Sequence, residues 1–263
     1  MVQRLTHEAD RRRLGEQVAS MLLASIHLHE YIPGQRLPSE RELGAQLGVN
    51  RTAVREAVRW LEHEQYIEVR RGKYGGAFVR QPVPELTLQR LRENLDELRQ
   101  LLEYRAAVEP VLAAVGAERS TPEAVARLRE LHAQECDPEL PRAQFRAIDV
   151  NLHEIVVGLA HNQMSLTALT EIRVRLAPAL DLLGPSADRR QESREGHAHL
   201  IGAVAVRDAS AAAVAMDRHI EATERAIRAA LASRGVKLPL TRPTPAVREG
   251  WLEARGHPAG AGG

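Results

Sequence analysis

Apolar residues recur every three or four positions along most of the chain, which is the spacing of one face of an α-helix. The first such pattern runs from about Leu14 to Glu30, and the Pro33-Gly34 pair lies just beyond its end. Two shorter helices are predicted over residues 40–47 and 51–64, separated by a short turn that begins at Gly48.

Local chemistry supports the predicted start of each of these two helices. Ser39 precedes the first and is followed three positions later by a glutamate, which is the capping-box pattern. Asn50 can cap the second. Residues 66–71 and 77–80 are predicted to form two short strands joined by a glycine-rich turn. The order of elements is therefore helix, helix, short turn, helix, hairpin.

Beyond the Pro-rich segment 81–84, every periodic segment is predicted to be helical. The predicted helices cover residues 86–118, 122–134, 139–160, 163–183, 188–206 and 209–233. The predicted domains are a flexible N-terminus (1–13), an N-terminal domain (14–80), a linker (81–96), an all-α domain (97–233) and a disordered tail (234–263). The fold class is mainly α, with a helical bundle at the C-terminal end.

Composition narrows the possible classes of protein. Hydrophobic residues make up 44% of the chain, which argues against wholesale disorder, and the single cysteine excludes a disulfide framework or a Cys-rich zinc module. The chain has neither an apolar run long enough to span a bilayer nor a secretory signal, so a soluble cytoplasmic protein is expected. Residues 1–80 are net positive and residues 81–234 net negative, which permits nucleic-acid binding without proving it.

The second short helix has the side chains of a recognition helix. A helix-turn-helix places the start of its second helix against base edges in the major groove. Arg51 and Arg55 are four positions apart on one face, and a guanidinium can pair with guanine or with a phosphate. Asn50 and Thr52 can donate to phosphates. The same residues also fit an ordinary pair of amphipathic helices with solvated arginines.

Two further positions could contact DNA. Arg41, near the start of the preceding helix, could hold a phosphate or reach a base. The predicted hairpin carries a basic tip, Arg70-Arg71-Gly72-Lys73, in which Gly72 would let the backbone approach closely.

Four runs of residues in this region resemble the GntR family of bacterial transcription regulators. They are Pro33–Leu43, Leu47–Arg51, Val54–Val58 with Leu61, and Gly75–Val79. The resemblance spans about residues 14–80 and implies a winged helix-turn-helix that binds DNA. It implies that the DNA contacts are Arg41, Arg51, Arg55 and Gly72, supported by Asn50 and Thr52.

In the C-terminal half, polar side chains lie within apolar helix faces. The predicted helix around 145–160 has an apolar stripe made of Phe145, Ile148, Leu152, Val156 and Leu159. Asp149 and His153 lie inside this stripe, four positions apart, so both can reach one point. A carboxylate that faces a helical core must be paired or must ligate a cation.

Two more histidines follow the same rule. His197 is in line with Leu200 and Ile201, and His219 borders another apolar stripe. One aspartate and three histidines could surround one divalent metal ion such as Zn, Ni, Mn or Fe and leave coordination positions open. The alternative for each histidine is a buried, hydrogen-bonded side chain.

This half of the chain resembles the FadR C-terminal (FCD) domain over about residues 97–233. The matching runs are Leu102–Pro110, Asp149–His153, Ala160–Asn162, Glu195–His197 and Met216–His219. The resemblance implies an all-α bundle with a central effector cavity. Some members of this domain family bind a metal, and the resemblance to them implies that Asp149, His153, His197 and His219 are the ligands.

The same resemblance assigns roles around the cavity. It implies that Arg105 holds an effector carboxylate and that Asn162 helps. Glu109 is expected to orient Arg105 or the helix rather than to bind the effector. The sequence therefore predicts a ligand-responsive transcription regulator, a repressor that acts as a homodimer on a pseudo-palindromic operator in double-stranded DNA. A small organic acid would bind the metal and Arg105. A metalloenzyme and a constitutive DNA-binding protein with a structural metal are the alternatives, but no separate general base supports an enzyme.

Overall fold

A computed structural model describes residues 2–184 and 186–239 of the chain, with side chains from residue 13 onward. The described residues form ten α-helices and one two-stranded antiparallel sheet. The chain divides into two compact units between Val83 and Pro84. This is the mainly α architecture that the sequence predicts.

The N-terminal unit is a winged helix-turn-helix. Its elements are α1 (Val2–His27), α2 (Glu40–Leu47), α3 (Arg51–His63), β1 (Ile67–Arg70) and β2 (Gly76–Val79). The two strands form the wing, with Ile67 opposite Val79 and Arg70 opposite Gly76. A single apolar core holds these elements together; it includes Val18, Leu22, Leu43, Val54, Leu61, Ile67 and Val79.

Both predicted caps are present in the turn region. The Ser39 side chain accepts a hydrogen bond from the Glu42 N–H, while Glu42 Oε2 accepts one from the Ser39 N–H at 2.8 Å. Gly48 ends α2 with φ of +67°, a conformation that favours glycine. Asn50 Oδ1 accepts from the Ala53 N–H at 2.9 Å and starts α3. These local bonds fix the angle at which α3 leaves the turn.

The C-terminal unit is a bundle of helices. They are α4 (Pro84–Glu93), α5 (Leu95–Glu118), α6 (Pro122–Glu135), α7 (Arg142–Gly158), α8 (Gln163–Asp181), α9 (Ala187–Ala205) and α10 (Ala209–Ala232). Helix α10 packs along both α5 and α9, and α7 packs against α5, α6 and α8. Leu128, Leu152, Leu200 and Met216 lie at the centre of the main core, each almost fully buried. None of the described helices is long and apolar enough to cross a membrane.

The ends of several segments differ from the sequence prediction. Helix α1 starts at Val2 rather than near Leu14. The helix predicted over residues 86–118 is two helices, since α4 ends at Glu93 and α5 begins at Leu95, and most of the predicted linker (81–96) is therefore helical. The tail was predicted to be disordered from residue 234, but Val236 and Leu238 are buried against the bundle because their apolar side chains pack into it. The rest of that prediction, over residues 240–263, lies outside the described residues.

Candidate functional site

The N-terminal unit presents its candidate DNA contacts to solvent. Arg41, Arg51, Thr52 and Arg55 are all exposed, on α2 and the first turns of α3. Arg55 Nη2 lies 3.1 Å from a carboxylate oxygen of Glu40 on α2. This ion pair is solvent-exposed and therefore weak, so a DNA phosphate can compete for the guanidinium.

The two remaining candidates have clear local roles. The Asn50 carbonyl oxygen is committed to capping α3, which leaves its amide N–H groups to donate elsewhere. Gly72 stands at the tip of the wing with φ of +102°, a value that L-amino acids with a Cβ rarely adopt. Its carbonyl accepts from the Gly75 N–H at 2.9 Å and closes the turn. The structure thus brings the predicted DNA-contact residues onto one unit with exposed side chains.

The C-terminal unit brings four predicted ligands to one point. Asp149 and His153 come from α7, His197 from α9 and His219 from α10, and one donor atom of each lies within 4.8 Å of the others. The three imidazoles are buried and Asp149 is half-buried. Gly196 makes the approach of α9 and α10 possible, because a Cβ at this position would stand 2.9 Å from His219 Nδ1.

Two buried glutamates orient two of the imidazoles. His153 Nδ1 lies 2.9 Å from Glu109 Oε2, and His197 Nδ1 lies 2.9 Å from Glu135 Oε2. Because an ionised carboxylate only accepts hydrogen bonds, each Nδ1 is the donor and each Nε2 faces the cluster. His153 Nε2 is buried without a hydrogen-bond partner among the described residues, and His197 Nε2 is turned toward Asp149. Buried polar atoms are rarely left unpaired, and this carboxylate–histidine arrangement is typical of metal sites.

The electrostatics of the cluster are dominated by the single aspartate. His197 Nε2 lies 3.3 Å and His219 Nε2 3.8 Å from Asp149 Oδ1. Burial alone would lower the pKa of His197, but Asp149 and Glu135 together raise it to about 9. Burial and the neighbouring imidazoles hold the pKa of His219 well below its usual value, and burial lowers the pKa of His153. Three imidazoles and one carboxylate are a donor set that fits a divalent ion of the Zn, Ni, Mn or Fe type.

Arg105 lies beside this cluster. Its Nε donates to Glu109 Oε1, and Arg173 Nη2 lies 3.4 Å from the other oxygen of the same carboxylate. Burial alone would raise the pKa of Glu109, but these two guanidiniums and His153 hold it well below its usual value. Glu109 therefore orients both Arg105 and His153, whereas the sequence predicted only the first role.

A small cavity of about 40 Å³ adjoins the cluster. Arg105, Asp149 and His219 line one end of it, and Arg146 and Arg189 line it as well. Asn162 does not line the cavity. It is exposed, and its Oδ1 caps α8 by accepting from the Ser165 N–H at 3.1 Å. The role of Asn162 in effector binding stays a prediction, because its Oδ1 caps a helix and only its amide N–H groups are left to donate.

Sequence reasoning missed two groups at this site, the orienting Glu135 and the arginines Arg146 and Arg189. Glu135 follows Leu128 and Leu131 at helical spacing and is fully buried, so it carries the same signal as Asp149, an acid within an apolar stripe. The two arginines give no such signal, because long cationic side chains are common on solvated helix faces.

A winged helix-turn-helix followed by a helical bundle with a cluster of metal-type donors defines a class of two-domain DNA-binding regulators. The family model for bacterial regulatory proteins of the gntR family matches residues 14–79, and the FCD domain model matches residues 100–222. The two matches together span most of the chain. The protein belongs to the GntR family of DNA-binding transcription regulators and carries an FCD domain.

Known proteins agree with this assignment. The chain is 29% identical over 222 residues to the Exu regulon transcriptional regulator of Escherichia coli K12, covering 81% of this chain and 84% of that protein. It is 40% identical over 121 residues to the uncharacterized HTH-type transcriptional regulator Rv0494 of Mycobacterium tuberculosis, a match that spans 43% of this chain and about half (48%) of that protein. The solved structure of E. coli McbR/YncC shares the fold, with a TM-score of 0.51, 21% identity and coverage of 84% and 98%.

Proposed function

We propose that this transcription regulator responds to a small organic acid that binds at a divalent metal ion in its FCD domain. The observation that carries the proposal is the convergence of Asp149, His153, His197 and His219, whose donor atoms lie within 4.8 Å of one another. Two of the imidazoles are oriented by buried carboxylates so that their Nε2 atoms face the cluster, and His153 Nε2 has no hydrogen-bond partner among the described residues. A site organised to this degree is costly unless a cation completes it.

The four side chains would hold the ion and leave coordination positions open. When bound, the metal supplies a positive centre that binds a carboxylate oxygen. Arg105 stands at the cavity next to the donors and offers its guanidinium as a second anchor, already oriented by Glu109. The effector is therefore an acid whose carboxylate fits between the metal and Arg105.

At the other end of the chain, Arg41, Arg51 and Arg55 would contact operator DNA with help from Asn50, Thr52 and Gly72. The exposure of these side chains and the ready exchange of Arg55 from its partner Glu40 support this assignment. One winged helix offers a small reading surface, so specific binding needs two copies on one pseudo-palindromic site. The regulator would act as a homodimeric repressor.

The effector must bind one dimer geometry more tightly than another if it is to change DNA affinity. This requirement leads to a direct experiment. The full chain is loaded with Zn or Ni, its metal content is measured, and small acids are titrated against an operator duplex selected from random sequences. The proposal holds if about one ion binds per chain and at least one acid shifts operator affinity in the metal-loaded protein but not in the metal-free protein. The proposal is refuted if the protein retains no metal after the loading procedure, or if none of the acids changes its affinity for the operator.

A further inference from the structure

The cavity beside the metal donors has a second, cationic end. Arg146 lies on α7 one turn before Asp149, and Arg189 lies on α9 about two turns before His197. Each of these two helices therefore carries a metal-type donor and, nearer its N-terminus, an arginine that lines the same cavity. The paired placement gives the cavity one end for a metal and one end for a negative charge.

Arg146 is buried and unsatisfied. Its side chain belongs to a residue that is only 7% exposed, and its Nε has no hydrogen-bond partner among the described residues. The charge of Arg146 also acts on nearby Asp181, although burial still raises the pKa of that carboxyl. A buried guanidinium nitrogen without a hydrogen-bond partner is costly, which indicates that a group from outside the chain completes it.

The remaining charges around the cavity leave its wall positive. Arg189 donates to the Gly184 carbonyl at 3.1 Å, and burial together with nearby Arg146 lowers the pKa of Arg189. Glu192, the acid on the same wall, is already paired with Arg225 at 2.5 Å. Arg146 and Arg189 thus line a cavity whose two carboxylates, Asp149 and Glu192, form no ion pair with either of them among the described residues.

We propose that the effector carries a second anionic group, a carboxylate or a phosphate, which binds Arg146 and Arg189 while its first carboxylate lies at the metal and Arg105. This inference rests on the proposed function of the same site. Guanidiniums bind planar carboxylates and phosphates through paired, charge-assisted hydrogen bonds, so two of them form a strong anchor. An acid with only one charged end would leave both arginines unpaired.

The size of the cavity sets one further condition. A volume of about 40 Å³ has room for only a few water molecules. A diacid would therefore have to displace a side chain that lines the cavity, and Glu192 is exposed. Its side chain is long and flexible and can move outward while Arg146 and Arg189 stay in place.

Calorimetric titration of the metal-loaded full chain with matched acids tests the inference. Malonate, succinate and glutarate are compared with propionate, butyrate and valerate, and phosphoglycolate is compared with glycolate to separate a phosphate from a carboxylate. At least one doubly charged acid is expected to bind at least about tenfold more tightly than its singly charged partner. Arg146→Gln should remove this preference while metal content and the affinity for single acids stay unchanged. Arg127→Gln, on the exposed face of α6, is the matched control.

The possible outcomes separate the second anion site from the proposed function. Equal binding of single and double acids, or an undiminished preference in Arg146→Gln, overturns the second anion site and leaves the proposed function intact. A metal-loaded protein that binds no acid in either series overturns the carboxylate effector itself, and the second site with it.

Melting curves give an independent reading. If Arg146 has no partner until an anion binds, its buried charge destabilises the acid-free protein. Arg146→Met removes that charge and should raise the Tm of the acid-free protein by roughly 2 °C or more. A lower Tm would identify the guanidinium as part of the scaffold and contradict the inference.

Discussion

The functional side chains of the N-terminal unit are exposed, whereas those of the C-terminal unit are buried. On the DNA-binding unit, Arg41, Arg51 and Arg55 are exposed, and the one ion pair among them is open to solvent. In the FCD domain, His153 and His197 are buried and each is fixed by a carboxylate. Exposed side chains can adapt to a long, uneven polyanion, whereas fixed donors select one small ion by its geometry. Substitutions should therefore have local, graded effects at the first surface and cooperative effects at the second.

The largest effect is expected from His153→Ala. Removing one of four donors should abolish stoichiometric metal binding, and the thermal stabilisation that metal gives the wild type should disappear. That stabilisation is about 4 kcal/mol when free metal exceeds its Kd a thousandfold. Elemental analysis and melting curves with and without metal measure both quantities. Operator affinity without effector should be unchanged, since the DNA contacts belong to the other unit. A variant that still gains Tm from metal would show that His153 is not a ligand.

Glu135→Gln should produce the next largest effect. The amide keeps the shape of the side chain but removes the charge that orients His197, so metal affinity should fall about 10-fold to 100-fold. Competition with a coloured chelator measures the affinity. Glu130→Gln on the same helix changes an exposed carboxylate and should have no effect. Equal affinities in the two variants would mean that Glu135 does not support the site.

Arg51→Ala should weaken specific operator binding by about 1–3 kcal/mol if the guanidinium reads a base. Fluorescence anisotropy at fixed salt measures this loss, and metal content should not change. Arg59→Ala, near the end of the same helix, is the control because it lies away from the turn that faces DNA. Similar losses in both variants would point to a general effect of charge rather than to recognition by Arg51.

The smallest effect is expected from Glu40→Gln. This change frees Arg55 from a weak, solvent-exposed ion pair and removes a negative charge beside the proposed DNA contacts. Operator affinity should rise by up to about fivefold, and more at low salt. Weaker binding would instead show that Glu40 holds Arg55 in its productive orientation.

Features that depend on neighbouring residues in sequence were predictable. Ser39 and Asn50 cap their helices as expected, because capping bonds reach only two or three residues along the chain. The four metal-type residues were detectable because acids and histidines within an apolar stripe are unusual. The early start of α1 was not, since hydrophobic periodicity reports a buried face and residues 2–13 have no such pattern.

Contacts between distant segments were beyond the reach of pattern analysis. Glu109 meets His153 from 44 positions away and Glu135 meets His197 from 62 positions away, so no local spacing links them. Asn162 has a local role that the family motif did not reveal. Its carbonyl oxygen begins α8, while its predicted part in effector binding stays a prediction.

Gly196 controls how closely α9 and α10 can approach each other. Its missing side chain is what lets the His219 ring rest against α9, and a methyl group there would press on the ring at 2.9 Å without deleting any donor. A Gly196→Ala variant would therefore displace one imidazole of the proposed metal site while all four donors stay present. This position offers a way to weaken the proposed site in a small step without changing the winged helix-turn-helix.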